Sequence, residues 1–356
     1  MSTAMMIEPT DLSATGTTDA GVPPQAALTQ MISGFMISQS LYVVTKLGVP
    51  DLLAEGARGV EELAQATGAH APSLYRFMRA LAGCGVFSQT DDGRFRLTPL
   101  SELLRADVPG SQRDFAIFMG EEWHWRAWGE ALHSAKTGEK AWEHVYGVEI
   151  FPYLAQHKEA ADVFDRAMTS LSRMVAASVV ESYDFSGIEK LADIAGGHGS
   201  LLAEILKANP HLSGVLFDVP QVIAGAGEVL DKEGVAGRVE LVGGDFFESV
   251  PAGADAYLMK HIIHDWDEER ALAILKNCHR AMPERGRLLL VEMVIPRGDE
   301  PHFGKIQDLE MLLIPGGRER TEDEYRELLA AAGFRLTRVV PTRSPMSIVE
   351  GVKTDA

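Results

Sequence analysis

The chain contains little cysteine, and its two cysteines stand far apart in the sequence. Among 356 residues only Cys84 and Cys278 occur, which is too few for a disulfide framework and fits a reducing compartment. Cys278 continues an apolar helical stripe through Ala271, Ile274 and Leu275, so we expect it in the core. Neither cysteine combines with a histidine at a metal-ligand spacing, and we predict no metal site.

The chain is also poor in positive charge. Lysine and arginine number 33 against 51 aspartates and glutamates, which gives a formal net charge of -18. Because phosphate backbones are bound by clustered basic side chains, we expect no nucleic-acid partner. The first basic residue is Lys46, so the start lacks the charged region of a signal peptide. No apolar run approaches the roughly twenty residues that span a bilayer. We therefore expect a soluble, cytoplasmic protein without a membrane partner.

The length and a hydrophobic content of 46% predict a large core and roughly two domains. Residues 1–24 are rich in Thr, Ala, Gly and Pro without an apolar period, which predicts a disordered tail. Residues 25–107 contain a helix near 60–67, a second helix from Pro72, and a hairpin with strands at 86–88 and 95–97. This order of elements is typical of a winged helix. Residues 108–183 are predicted to be a helical connector.

The winged-helix region leaves two functions open. Many winged helices bind DNA, and Arg76 and Arg79 lie on the second helix; the alternative is a dimerisation module. Residues 26–44 are apolar on more than one face, which predicts that a partner chain covers them. In the connector, Trp123, Trp125 and Trp128 form an aromatic cluster that fits either a pocket lining or core packing.

Residues 184–356 alternate strands and helices, which predicts a parallel sheet. The helix at 321–332 begins with a capping box formed by Thr321 and Glu324. The last two strands, at 336–340 and 346–350, are too close in sequence for a crossover, so we expect an antiparallel hairpin at one edge of the sheet. The predicted fold class is α/β: a Rossmann-like seven-stranded sheet with an N-terminal, mostly helical winged-helix domain.

Polar residues follow three successive strands of this predicted sheet. A glycine turn, Gly196-Gly197-His198-Gly199, follows the strand at 191–195, and Asp218 ends the next strand. Asp245 and Phe246 follow the third strand, where a carboxylate and an aromatic ring can receive an adenine. The spacing G-x-G-x-x-G of dinucleotide folds is absent, and no phosphate-binding lysine accompanies the turn. The pattern predicts an adenosine site that suits S-adenosylmethionine better than ATP or NAD.

The fourth strand end carries a histidine. The strand at 256–259 leads into Lys260-His-Ile-Ile-His264-Asp265-Trp266. Ligands of open α/β sheets bind beyond the carboxyl ends of the strands. A histidine there is placed to act as a general base, since its unperturbed pKa of about 6.5 lets it accept a proton near neutrality.

From about Leu28 to Val352 the chain resembles the S-adenosylmethionine-dependent O-methyltransferases of the plant caffeate and bacterial polyketide-tailoring type. The matching motifs are Asp193-Ile-Ala-Gly-Gly-His-Gly199, Phe217-Asp-Val-Pro220, Gly244-Asp-Phe-Phe247, Lys260-His-Ile-Ile-His-Asp-Trp266 and Pro315-Gly-Gly-Arg-Glu-Arg-Thr321. The resemblance implies a homodimer formed through the N-terminal domain and a catalytic domain at 184–356.

The resemblance also implies the site residues. The predicted cofactor contacts are Asp193, Ala195, Gly196, Gly197, Asp218, Asp245, Phe246 and Lys260. One departure is Ala195, which stands where the family has its first motif glycine; a main-chain contact survives that change. The predicted acceptor contacts are Phe151, Phe164, Met168, His261, Asp265, Asp308 and Met311.

The implied reaction transfers a methyl group to a hydroxyl of a small aromatic molecule. His264 is the predicted base, with Glu292 and Glu319 flanking its imidazole. Two alternatives are a relative that binds S-adenosylmethionine for a hydroxylation or decarboxylation, and a ligand-sensing winged-helix regulator. Transfer to a nitrogen or a carbon of the acceptor stays open beside transfer to oxygen.

Overall fold

A computed structural model describes residues 23–354, so residues 1–22 of the predicted tail lie outside the described chain. The chain divides into two compact units. The helical unit comprises the described residues up to Gly129 together with Phe151–Leu171, and the sheet unit comprises Glu130–Ile150 together with the described residues from Ser172 onward. The domain boundaries given above from the sequence stay a prediction.

Helices dominate the first half of the chain, and strands alternate with helices in the second. The helices are α1 (Pro24–Lys46), α2 (Val49–Leu52), α3 (Val60–Thr67), α4 (Ala71–Gly83), α5 (Pro99–Glu102), α6 (Arg113–Gly120), α7 (Glu122–Gly129), α8 (Ala131–Thr137), α9 (Ala141–Tyr146), α10 (Ile150–Gln156), α11 (Lys158–Ser182), α12 (Ser200–Ala208), α13 (Pro220–Lys232), α14 (Glu268–Ala281), α15 (Gly304–Leu313) and α16 (Glu322–Ala331). The strands are β1 (Phe87–Gln89), β2 (Phe95–Leu97), β3 (Lys190–Ile194), β4 (Ser213–Asp218), β5 (Val239–Gly243), β6 (Ala256–Lys260), β7 (Arg287–Glu292), β8 (Phe334–Pro341) and β9 (Ser347–Lys353).

The helical unit contains the predicted helix, helix, hairpin order. Helices α3 and α4 precede strands β1 and β2, which pair antiparallel with Phe87 opposite Leu97. Buried side chains from these elements, including Leu63, Leu74 and Met78, form one apolar core. Gly68 ends α3 in the left-handed conformation, a backbone geometry that suits glycine. The winged-helix arrangement predicted from the sequence is therefore confirmed.

Helix α1 exposes apolar side chains along most of its length. Leu28, Met31, Ile32, Phe35, Met36 and Ile37 are all exposed, with Ile32 66% accessible. By its length and composition alone, this helix could cross a membrane. Only 6% of its most apolar 18-residue stretch is buried in the chain. Polar residues such as Thr29 and Gln30 interrupt the apolar run, which is why the sequence shows no continuous span. One such helix near the N-terminus is weak evidence for a membrane segment.

The sheet unit is built on a seven-stranded sheet with the order β5-β4-β3-β6-β7-β9-β8. The first five strands in this order are parallel, and β9 pairs antiparallel with both β7 and β8. The predicted terminal hairpin is confirmed: β9 lies between β7 and β8, and β8 forms the edge of the sheet. Two apolar clusters that both include sheet residues form the core of this unit, and Cys278 is buried in one of them as predicted. The carboxyl ends of four adjacent parallel strands, β5, β4, β3 and β6, therefore lie along one edge.

Candidate active site

The turn after β3 brings the backbone close to the sheet edge. Ala195 has a left-handed φ of 55°, followed by Gly197 at 60° and Gly199 at 78°. A Cβ at Gly196 would lie 2.5 Å from the Asp193 Oδ2 atom and from Leu216, so only glycine fits there. Helix α12 begins directly after the turn. The glycines thus let the main chain pass over β3 and β4 where a ligand can approach the backbone.

Asp218 is tied to this turn by hydrogen bonds. The Gly197 N–H donates to Asp218 Oδ2 at 2.8 Å, and the Val219 N–H donates to Oδ1 at 2.7 Å. Burial raises the pKa of Asp218, while these two N–H groups oppose the rise. Each carboxylate oxygen keeps acceptor capacity for a further donor such as a ribose hydroxyl.

Two ionisable groups lie on the neighbouring strands β3 and β6: Asp193, which is buried, and Lys260, which is half-buried. Asp193 is 2% exposed, and its Oδ2 atom has no hydrogen-bond partner among residues 23–354. Burial raises the pKa of Asp193 to about 7, against the charge of Lys260. Burial lowers the pKa of Lys260, against the charges of Asp193 and Glu292. An acid whose buried oxygen lacks a donor is suited to receive one from a cationic ligand.

An aromatic group lies after β5. The ring of Phe247 packs edge to face against Trp266 with centroids 4.8 Å apart, and Phe246 contacts the same indole at 5.9 Å. Asn277 fixes this segment, because its amide donates to the carbonyl oxygens of Phe246 and Phe247 at 2.7 and 2.9 Å. Asp245 accepts from the Phe247 N–H at 2.8 Å. The Asn277 contribution was missed from the sequence, since nothing local marks a helical asparagine as an anchor.

His264 lies in a short 3₁₀ turn after β6, between two buried glutamates. Its Nδ1 atom is 2.8 Å from Glu319 Oε1 and 3.6 Å from Glu292 Oε2. The other oxygen of Glu292 accepts from the N–H groups of Ile262 and Ile263 at 3.1 and 2.9 Å. All three side chains are buried: His264 is 5%, Glu292 0% and Glu319 2% exposed. The structure thus brings together the three residues predicted to act in catalysis.

The electrostatics of this group differ from the sequence expectation of an ordinary histidine. Burial alone would lower the pKa of His264, but the charges of Glu292, Glu319 and Asp265 outweigh it and raise the pKa to about 10. Burial raises the pKa of Glu292, and the charge of His264 opposes that rise. In the ligand-free protein His264 is therefore an imidazolium near neutral pH.

The loop that carries Glu319 is docked on the His264 turn through the backbone. The Arg318 N–H donates to the His264 carbonyl at 2.8 Å. A Cβ at Gly317 would lie 1.9 Å from that carbonyl oxygen, so the approach requires glycine. Asp308, on α15, accepts from the Glu319 N–H at 2.7 Å. Asp308, predicted as an acceptor contact, therefore also holds the main chain of a predicted catalytic residue.

The three ligand atoms of His264, Glu292 and Glu319 lie within 4.8 Å of one another, close enough to hold a metal ion. This is the one such group in the described part of the chain. The hydrogen bond between Nδ1 and Glu319 Oε1 already satisfies the imidazole without an ion. The arrangement fits proton transfer, and no metal requirement follows from it.

His261 and Asp265, both predicted acceptor contacts, border His264. The two imidazole rings stack at 4.9 Å with an interplanar angle of 16°, and His261 Nε2 lies 3.0 Å from Met346 Sδ. Burial and the charges of Lys260 and His264 hold the pKa of His261 well below its usual range. Asp265 Oδ1 is 3.5 Å from His264 Nε2, and burial raises the pKa of Asp265 to about 6.

The other predicted acceptor contacts are divided between the two units of the chain. Met311 is buried on α15 in the sheet unit. Phe151, Phe164 and Met168 belong to the helical unit, where Phe151 and Phe164 meet edge to face at 6.3 Å. In the same unit Trp123 contacts Phe118 at 5.6 Å and packs against a small apolar core. Contact of these side chains with an acceptor stays a prediction.

The residues along the sheet edge fit S-adenosylmethionine. Asp193, Asp218 and Asp245 offer acceptors for an ammonium group, ribose hydroxyls and an adenine amino group, and the aromatic group offers an apolar face. The elevated pKa of Asp193 reflects burial of negative charge, which positive charge on a ligand would compensate.

Comparisons with known proteins show which family the chain is similar to. Residues 29–107 match the model of the O-methyltransferase dimerisation domain, and residues 125–335 match that of the O-methyltransferase domain. The chain is 50% identical to the phenazine O-methyltransferase PhzM of Lysobacter antibioticus. The alignment covers 92% of this chain and 96% of that relative. It superposes on the crystal structure of LaPhzM with a TM-score of 0.90 at 49% identity, covering 94% of this chain and 100% of that one.

A third comparison concerns ligands. The O-methyltransferase NcsB1 from neocarzinostatin biosynthesis was crystallised with S-adenosylmethionine and 2-hydroxy-5-methyl naphthoic acid. It superposes with a TM-score of 0.79 at 32% identity, covering 94% of this chain and 100% of that one. A solved relative of this fold thus binds the cofactor together with an aromatic hydroxy acid.

Proposed function

The chain belongs to the S-adenosylmethionine-dependent O-methyltransferases with an N-terminal dimerisation domain, and within this family we propose that it methylates a phenolic hydroxyl of a small aromatic acceptor with His264 as the general base. The observation that supports the base is the 2.8 Å contact between His264 Nδ1 and Glu319 Oε1. Donation from Nδ1 fixes the tautomer, so that neutral His264 presents Nε2 as a proton acceptor.

The cofactor supplies a methyl group on a positively charged sulfur, which is already activated for transfer. The chain's own residues then have two tasks: they orient the acceptor oxygen and take its proton. A phenol has a pKa of about 10 and is a weak nucleophile while protonated. Removal of its proton by His264 creates an imidazolium, which the buried carboxylates of Glu292 and Glu319 stabilise.

The raised pKa of His264 adds a condition to this mechanism. A base must be neutral before it accepts a proton, and in the ligand-free protein the pKa of His264 is about 10. Positive charge bound beyond β3 and β6 would oppose the nearby acids and lower the pKa of His264. We therefore propose that His264 becomes an effective base only once the cofactor is bound.

For the acceptor, we propose a fused aromatic hydroxyl compound, with a hydroxyphenazine as the first candidate. The support is the 50% identity to a protein named as a phenazine O-methyltransferase. A panel of hydroxyphenazines, naphthols and catechols with methyl-labelled cofactor would identify the acceptor by product mass. Transfer to an amine instead, or cofactor binding without release of S-adenosylhomocysteine, would contradict the proposal.

We also propose that the enzyme is a soluble, cytoplasmic homodimer without nucleic-acid or membrane partners. The dimerisation-domain match and the exposed apolar side chains of α1 support the dimer. The net charge of -18 disfavours nucleic acid. On α4, the Arg79 guanidinium lies over the Tyr75 ring at 5.5 Å, so this arginine already has an intramolecular contact.

His264→Ala tests the base. We expect turnover to fall by about 10²–10⁴-fold, the usual contribution of general acid–base catalysis. Cofactor affinity should not fall, because the predicted cofactor contacts lie on other residues; near neutral pH it should rise, since the variant has no imidazolium to oppose the positive charge of the cofactor. Glu292→Gln and Glu319→Gln should each cost less, since they orient and stabilise the base without replacing it. Turnover near the parental value at pH 7 in His264→Ala would remove His264 from the mechanism and make His261 the next candidate.

A further inference from the structure

Arg320 is a buried cation that lies directly after Glu319 and before the capping residue of α16. Arg320 is only 1% exposed to solvent, and a buried position is unusual for a permanently charged side chain. The main chain at Arg320 is also fixed, because the Ile295 N–H donates to its carbonyl at 3.0 Å and a parallel bridge joins it to Val294. The side chain of Arg320 therefore extends from a fixed main chain.

The partners of the Arg320 guanidinium lie next to two predicted catalytic residues. Nη1 donates to the Ile263 carbonyl at 3.1 Å and, at a longer 3.4 Å, to the Arg318 carbonyl. Ile263 immediately precedes His264, and Arg318 immediately precedes Glu319. Nη2 lies 3.3 Å from Glu268 Oε2, in the first turn of α14. One planar group thus bridges the peptide before the base and the peptide before its carboxylate partner.

We propose that Arg320 is a positioning residue that sets the hydrogen bond between His264 and Glu319. The inference rests on the proposed role of His264 as the base. The two residues are 55 positions apart in the sequence, and both stand outside α-helices and β-strands. Their relative position therefore depends on cross-links between the two segments. These include the hydrogen bond from the Arg320 guanidinium to the Ile263 carbonyl and the backbone bond from the Arg318 N–H to the His264 carbonyl.

The chemistry of arginine suits this task. Its planar fork donates in several directions at once, whereas a lysine ammonium on a flexible stem acts as a point charge. Removing the guanidinium would leave the Ile263 carbonyl without this donor in a buried environment, which favours local rearrangement. A displacement of about 1 Å at a reacting group can cost about 10²-fold in rate. The effect should appear in turnover, not in cofactor binding.

The test compares Arg320→Met and Arg320→Lys with the parent enzyme. Arg320→Met keeps much of the side-chain length without charge or donors, and we expect kcat to fall by about 10²-fold, with an intermediate loss in Arg320→Lys. The KM for S-adenosylmethionine should stay within about twofold of the parent. In the ligand-free proteins, the proton NMR signal of His264 Nδ1–H, assigned by its absence in His264→Ala, should move upfield or broaden in both variants.

Arg318→Met provides the matched control in the same loop. The Arg318 side chain is 48% exposed and pairs with Glu324, so its loss should leave kcat and the His264 signal unchanged. Glu268→Gln provides a second variant, because the Glu268 carboxylate is 58% exposed and its loss should not impair folding. It removes only the anionic partner of Nη2, and we expect a smaller loss of kcat with the same direction of signal change.

Two results would overturn the inference. One is parental kcat with an unchanged His264 signal in Arg320→Met or, if that variant does not fold, in both Arg320→Lys and Glu268→Gln. The other is an equal loss in Arg318→Met, which would indicate general disturbance of the loop. The NMR comparison needs no turnover, so it separates failure of this inference from failure of the proposed reaction. A parent enzyme without methyl transfer would contradict only the latter.

Discussion

Ala195 and His261 are the non-glycine residues with positive φ in the described chain, at 55° and 54°. They occupy equivalent places, since each follows the end of a parallel strand and β3 and β6 are neighbours in the sheet. Left-handed backbone at a residue with a Cβ costs roughly 1–2 kcal/mol. Such strain concentrates where ligands bind, because the surrounding structure holds it in place. The strain at both strand ends agrees with the predicted ligand site along this edge.

Ala195→Gly should therefore stabilise the protein. Glycine adopts a φ of 55° without a steric penalty, although its greater freedom in the unfolded chain offsets part of the gain. We expect the free energy of unfolding in urea to rise by about 0.5–1 kcal/mol. The matched control is Ala203→Gly in the interior of α12, where the same exchange should destabilise by about 1 kcal/mol. A loss of stability in Ala195→Gly would show that the methyl group contributes packing that outweighs the backbone strain.

Asp218→Ala should weaken cofactor binding. If its carboxylate accepts the ribose hydroxyls, the loss should be on the order of 1.5–3 kcal/mol, the range for hydrogen bonds to a charged group. The substitution also removes the acceptor of the Gly197 N–H, so Asp218→Asn is the informative companion: it keeps one oxygen for that N–H. Titration calorimetry with S-adenosylmethionine measures both. An affinity within twofold of the parent in both variants would exclude Asp218 as the ribose acceptor.

At the scale of elements, α1 differs from every other long helix. Helix α14 buries Ala271, Ile274, Leu275 and Cys278 on one side, whereas the buried residues of α1 are only Val44 and Thr45 at its end. Five of the exposed apolar residues, Leu28, Met31, Ile32, Phe35 and Met36, recur at the helical spacing i, i+3, i+4, i+7 and i+8 and therefore share one face. A surface of this kind requires a partner to exclude water. The match to a dimerisation domain from residue 29 supports our proposal that this partner is a second copy of the chain.

A charge on this helix should break the dimer. We expect Ile32→Glu to shift the protein from dimer to monomer, because a buried unpaired carboxylate opposes association. Light scattering after size-exclusion chromatography measures the mass. Gln30→Glu adds the same charge at an exposed polar position of the same helix and is the control. If Ile32→Glu stays dimeric, or if the parent binds neutral lipid vesicles through α1, this surface has another role.

At the scale of the whole molecule, the ionisable groups of the site affect stability as well as chemistry. The pKa of His264 is about 10 in the folded protein against a usual 6.5. Its contribution to stability is therefore complete below about pH 6.5 and is lost as the pH rises toward 10. Asp193 and Asp265 act in the same direction at lower pH, since burial raises their pKa values to about 7 and 6. Because these groups bind protons more tightly in the folded state, the ligand-free enzyme should lose stability as the pH rises.

The free energy of unfolding should fall between about pH 7.5 and 9. In this range the folded state binds one more proton at His264 than the unfolded state, which corresponds to about 1.4 kcal/mol per pH unit. The lowered pKa of Lys260 opposes the trend at the alkaline end, so the slope of the parent must be compared with that of His264→Gln. Urea titrations across this range give both slopes. Identical slopes would show that His264 titrates with an ordinary pKa in the folded protein.

Several features of the fold followed from local sequence. The capping box of Thr321 and Glu324 positions the start of α16, and both residues take part in the observed cap. The short link between the last two strands allows only an antiparallel pair, and β8 and β9 form one. Alternating strands and helices predicted the parallel order of the sheet. These features depend on neighbours in the chain, which a sequence displays directly.

The residue types of the candidate site were also in the sequence, but their geometry was not. The family resemblance supplied His264, Glu292 and Glu319, while only the fold decided that Nδ1 contacts one carboxylate at 2.8 Å and the other at 3.6 Å. The raised pKa of His264, the bridging guanidinium of Arg320 and the anchoring amide of Asn277 depend on burial and on residues distant in sequence. Local propensity determines elements and their order, whereas desolvation and through-space charge exist only once the chain has folded.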